Sequence, residues 1–142
     1  MSNQARLKEI INSDLDHWTA DRLEQLKSVE LSVCCKVIGI PYTGDRVRKL
    51  QRLTTCAALL YRLRLYDRAG EGTIETSHLK TMTAAFTRAE LSVLCRQAAI
   101  AIPHSKYAKA RALILWRRNC LAHGAAFVKQ ASRTRYRQLW LV

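Results

Sequence analysis

Acidic residues run out early in this chain. After Glu90 come 52 residues with ten Lys or Arg and no Asp or Glu. A metal-dependent nuclease needs clustered carboxylates. Here Asp14, Asp16, Asp21 and Glu24 gather near the start, far in sequence from the basic part, and read as helix-start charges. Only two prolines and five glycines interrupt the 142 residues, which leaves no glycine-rich nucleotide loop. No C-x-x-C pair occurs. The five cysteines, Cys34, Cys35, Cys56, Cys95 and Cys120, are odd in number and mostly have apolar neighbours, the pattern of small packed hydrophobes in a reducing compartment. Cys120 and His123 form C-x-x-H, but no second pair supplies the four ligands of structural zinc, so no metal or cofactor is expected. No Ser-His-Asp or Cys-His order stands out, and no enzyme is expected. No apolar run approaches the ~20 residues that span a bilayer, and the opening MSNQARLKEI is polar and helical rather than a signal sequence.

What is present is charge of one sign on a foldable chain. At 49% hydrophobic the chain can bury a core, and its formal net charge is +13. Leu, Ala, Arg, Lys and Gln dominate, which predicts an all-α protein. A one-sign field of this size points to a polyanionic partner.

Periodicity predicts a run of helices. NQARLKEIINSDLDHW reads as an amphipathic helix with Leu7, Ile10 and Ile11 on one side. TADRLEQLKSVELSVCCKVIGI follows, capped by Thr19, as one helix or two abutting at Ser28, and ended by Gly39. Thr43 is a candidate N-cap for a long helix with Val47, Leu50, Leu53, Ala57 and Leu60 inward. The segment 70–76, GEGTIET, reads as a linker between a first half, 1–69, and a second, 77–142. Thr87 and Glu90 form a capping box for a helix that Pro103 breaks. Ser105 caps a second basic helix, closed near Gly124, and the end of the chain reads as a last helix or a basic tail. Trp18, Trp116 and Trp140 read as core anchors.

The halves echo each other. ELSVCCK at 30–36 recurs as ELSVLCR at 90–96, and each is followed by an Ile-Pro turn and a basic helix, the second turn displaced by two residues. Leu31, Gly39-Ile40-Pro41, Thr43-Gly44, Arg46, Leu50, Arg52 and Leu53 together resemble the SAP domain, a small helix–turn–helix DNA-binding module, over about residues 28–54. Ala101-Ile102-Pro103 and Ser105-Lys106 look like a degenerate second copy. Asp45 and Lys49 depart from the family pattern, and the helix after the turn is longer than the family's. The resemblance implies a compact helical domain of two helix–turn–helix SAP-like repeats that binds double-stranded DNA, often AT-rich.

The physics of the same residues agrees with that implication. A helix N-terminus favours phosphate. Thr43, Gly44, Arg46, Arg48, Lys49 and Arg52 in the first copy, and His104, Ser105, Lys106, Lys109 and Arg111 in the second, are the candidate contacts. Arg133, Arg135 and Arg137 in the carboxyl-terminal segment add to them. Such contacts position a protein on the duplex without reading its sequence. The blander reading makes Pro41 and Gly44 a connecting turn and the arginines a solvated helix face. RNA on the same basic face, or an acidic protein partner docked by an adaptor, are the alternatives. No membrane partner is expected, and the setting would be cytoplasmic, at the nucleoid, or nuclear. Whether the halves share one core or form two domains is open, with one core favoured because each half is small.

Overall fold

In the computed structural model, residues 2–68, 72–74, 76–134 and 137–139 are described, and among them the chain is all-helical, with no strand. Seven α-helices follow in order: α1 Asn3–Ile11, α2 Ala20–Leu23, α3 Ser28–Val37, α4 Arg46–Leu63, α5 Thr76–Ala85, α6 Arg88–Gln97 and α7 Lys106–Ala131. Short 3-10 turns lie at Leu15–His17, Arg64–Tyr66 and Arg137–Leu139. No helix of the described residues is long and apolar enough to cross a membrane.

The chain divides into two compact units. The first joins residues 1–58 to 120–142, and the second is 59–119. The divisions therefore fall inside α4 and α7, not at the 70–76 segment, of which residues 70, 71 and 75 lie outside the described set.

In the first unit Leu7 and Ile10 of α1, Leu31, Val33, Cys34 and Cys35 of α3, and Leu53, Cys56 and Ala57 of α4 are buried. Trp18 joins them, and its indole N–H donates to the Ser13 carbonyl at 3.3 Å. The segment 19–40 is two helices: α2 stops at Leu23, and α3 starts at Ser28, where Glu30 accepts the Lys27 N–H at 3.4 Å. Thr19 sits at the N-cap of α2 but its side chain makes no capping bond. Val47 is 60% exposed, not inward, because the apolar stripe of α4 runs one turn beyond its packed part, where Leu53, Ala57 and Leu60 are buried.

The second unit has its own core. Leu59, Leu63, Leu79, Met82, Phe86, Leu91, Leu94, Leu113 and Ile114 form it, with Trp116 packed on its edge. Its helix α6 begins with the expected capping box: Thr87 Oγ1 accepts from Glu90 N at 3.1 Å, and Glu90 Oε1 from Thr87 N at 2.9 Å. Trp140 lies outside the described residues.

Helix ends recur at a spacing of 60 residues. In α3, Gly39 N–H donates to Lys36 O and Ile40 N–H to Cys35 O; in α6, Ala99 N–H donates to Arg96 O and Ile100 N–H to Cys95 O. Both are Schellman caps, whose turning residue takes a left-handed conformation. That residue is Gly39 (φ +72°) in one and Ala99 (φ +56°) in the other. Hence α6 ends at Gln97, well before Pro103, and the positional partner of Gly39-Ile40 is Ala99-Ile100, not the Ala101-Ile102 of the Ile-Pro alignment. The following helices start in the same register, at Arg46 and Lys106.

Two glycines are explained by contact. A Cβ on Gly39 would lie 2.0 Å from the Cys120 carbonyl oxygen, and one on Gly124 would lie 2.1 Å from the Val37 carbonyl oxygen. The end of α3 is thus laid backbone to backbone on α7 within the first unit. This is why Gly124 does not close a helix: α7 runs through it to Ala131, and the glycine serves close approach.

Candidate nucleic-acid interface

The start of α4 is capped by Asp45, not Thr43. Asp45 Oδ1 accepts the Arg48 N–H at 2.9 Å, and its carbonyl accepts from Lys49 N. A carboxylate therefore already occupies the position where a helix N-terminus would attract an external anion. In the second unit the equivalent group is neutral: Ser105 Oγ accepts from Ala108 N at 3.0 Å.

Several of the candidate cations hold backbone carbonyls. Arg46 donates from Nε to Leu26 O at 3.2 Å and from its terminal nitrogen to Glu24 O. Lys49 Nζ donates to Ser28 Oγ at 2.9 Å. Arg52 donates to Pro41 O at 2.6 Å and Thr43 O at 2.9 Å, fastening the loop between α3 and α4. Lys109 is only 4% exposed, and its ammonium binds the carbonyls of Pro103 and His104. Arg88, absent from the sequence-derived set, also donates to His104 O. Loop carbonyls bear no sequence signature, so periodicity could not separate these cations from solvated ones.

The remaining candidates face water. Thr43, Gly44, Arg48, His104, Ser105, Arg111, Arg133 and Arg137 are exposed, Lys106 is half-buried, and Arg135 lies outside the described residues. Gly44 has φ +108°, and a Cβ there would meet only Arg48 and Arg52 side-chain atoms at ordinary contact, so the backbone angle is what selects glycine.

One carboxylate of the second unit is buried among cations. Asp67, 3% exposed, lies between Arg117 (Nη1 to Oδ2, 3.2 Å) and Arg118 (Nη2 to Oδ1, 2.7 Å; Nε to Oδ2, 3.1 Å). Burial alone would raise its pKa, but the two guanidiniums, Arg118 foremost, hold it below the ordinary value of 3.8. Arg118 also donates to Gly72 O. The pairing joins residues 50 and 51 apart in sequence and was not foreseen.

None of the five cysteines forms a disulfide, and all are buried. Burial raises the pKa of Cys35 to about 11, although Arg52 and Lys49 pull the other way, and that of Cys120 to about 12. At neutral pH these thiols are protonated packing groups. Among the described residues, no three His, Cys, Asp or Glu side chains gather as a metal site would require.

This geometry defines the class: an all-helical, strongly basic protein with two loop-to-helix junctions held by internal cations. Set against protein-family models, curated proteins and solved structures, the chain gives no match.

Proposed function

We propose that this protein binds double-stranded DNA through exposed Lys and Arg, without catalysis, in a regulatory, nucleoid-associated or mobile-element accessory role. The observation that carries the reading is an imbalance of exposed charge. From Arg46 onward, among the described residues, Asp67 is buried between two arginines and Glu90 is tied into its capping box, while Arg48, Arg96, Arg111, Lys129, Arg133 and Arg137 are exposed. Exposed cations in such excess suit a polyanion of regular charge spacing. The SAP-like pattern of residues 28–54 favours duplex DNA as that polyanion. Under this reading Arg46, Lys49, Arg52 and Lys109 shape the loops, and the exposed arginines contact phosphate.

Fluorescence anisotropy tests it, with AT-rich duplex, GC-rich duplex and single-stranded RNA titrated at several salt concentrations. Duplex binding should weaken with salt at a log–log slope of about −0.9 per phosphate neutralised. Arg48→Gln and Arg111→Gln should each reduce that slope by about 1. Duplex binding no tighter than that of an unrelated protein of equal charge would overturn the reading, and tighter RNA binding would transfer it to RNA.

A further inference from the structure

Single exposed apolar residues are ordinary. Two pairs of them in matching register are not. Tyr42 (49% exposed) and Val47 (60%) flank the loop-to-helix junction of the first unit, and Ile102 (43%) and Tyr107 (44%) flank that of the second. Each position in one pair has its counterpart 60 residues away, the spacing at which the helix caps and helix starts also recur.

The loop of each junction is tied down by cations. In the first unit Arg52 donates to the carbonyls on either side of Tyr42, those of Pro41 and Thr43. The Lys36 ammonium sits 4.5 Å from the centre of the Tyr42 ring, covering part of it. In the second unit Lys109 donates to Pro103 and His104, the two residues after Ile102, and Arg88 also donates to His104. Cations are thus committed to fixing loops that each carry one large exposed apolar side chain, Tyr42 or Ile102, among exposed polar ones. A fixed apolar group loses little conformational entropy on contact, which suits a binding surface.

We infer that, within each unit, the exposed apolar pair at the loop-to-helix junction makes direct contact with the sugars and base edges of duplex DNA. This inference rests on the proposed DNA reading and names the residues that add a salt-independent part to the affinity. The occupant follows from charge: Arg48 beside Val47, and Lys106 beside Tyr107, adjoin the apolar pairs, and Arg46, Arg48 and Lys49 outnumber the single carboxylate of Asp45 at the first junction. Apolar side chains touch thymine methyls and sugar faces and can wedge between base steps, whereas phosphate contacts alone would leave all affinity salt-dependent.

The test uses the full chain and the duplex on which the parent protein binds best. Y42S/V47S and I102S/Y107S are compared with the parent across a salt series, with circular dichroism confirming helix content. Each pair should weaken duplex binding about tenfold at an unchanged salt slope. Affinity within about twofold of the parent overturns the inference and leaves the DNA reading intact. A loss accompanied by a shallower slope also overturns it, since the change would then lie in phosphate contacts. A loss confined to single-stranded RNA overturns it in favour of base stacking. Failure of the parent itself to bind duplex defeats the DNA reading, and is distinguishable because it needs no variant.

Discussion

The two loop-to-helix junctions solve one geometric problem with different residues. In the first unit, the turn after α3 uses Gly39, packed against the Cys120 carbonyl, and α4 starts on the Asp45 carboxylate. In the second, the turn after α6 uses the exposed Ala99, and α7 starts on the neutral Ser105. The Schellman bonds and the register are the same. What the contrast teaches is that the left-handed turn is demanded by the connection, whereas glycine is demanded only where another backbone lies against it. Further along the same register, Ala57 and Ala58 of α4 stand where α7 has Arg117 and Arg118. Of the small pair Ala57 is buried and Ala58 exposed, whereas the arginine pair encloses a carboxylate.

That last difference predicts the largest effect. Asp67→Asn leaves two guanidiniums without their shared counter-charge, and breaking a buried pair costs about 3–5 kcal/mol. Urea denaturation at neutral pH measures it. The pH dependence has a definite sign. Because the folded pKa lies below the ordinary 3.8, the stabilisation is complete above that value and is lost as pH falls through the lower, folded one. The parent should therefore lose stability in this acid range more steeply than Asp67→Asn.

Gly39→Ala comes next. Left-handed backbone costs an alanine about 1–2 kcal/mol, and forcing a methyl against a well-packed neighbour typically costs about 1–3 kcal/mol more. The neighbour is the Cys120 carbonyl at 2.0 Å, which a side-chain rotation cannot relieve. A chemical-denaturation midpoint near that of the parent would show that α7 yields at this contact. Gly124→Ala meets the Val37 carbonyl with the same overpacking cost but no left-handed one, and it gains about 1 kcal/mol of helix propensity, so its loss should be smaller.

The caps separate the junctions by charge more than by size. Asp45→Ala and Ser105→Ala should each cost about 1 kcal/mol. Only the first should shrink with added salt, because only Asp45 brings a full charge to the helix dipole. Equal salt responses would mean that the Asp45 carboxylate acts as a hydrogen-bond acceptor alone.

Much of the scaffold was legible in the sequence, and the reasons differ by residue. The helices, the Thr87–Glu90 box and the Ser105 cap follow from local patterns that act within one turn. The ends of α6 and α7 did not. Ala99 turns the chain without glycine, and Gly124 sits inside a helix because Val37 lies against it. The candidate site was legible as a set of cations but not as a division of labour. Arg52 and Lys109 reach loop carbonyls, Arg117 and Arg118 meet a carboxylate from a distant helix end, and Arg48 and Arg111 reach water. Side chains of one charge and similar spacing part company only when the loops they meet are folded.

Ala99→Gly is the smallest expected effect and tests the opening contrast from the other side. Ala99 already occupies φ +56° and is exposed, so removing its Cβ relieves left-handed strain without opening a cavity. The gain is offset in part by the freedom glycine adds to the unfolded chain, leaving a net stabilisation of about 0.5–1 kcal/mol. Gly39→Ala and Ala99→Gly are the same exchange in opposite directions at matching positions. If backbone angle alone governed both turns, their effects would be equal and opposite. If the Cys120 contact adds its own cost at Gly39, the loss there should exceed the gain at Ala99 by at least twofold, and the denaturation midpoints of the two variants measure the difference directly.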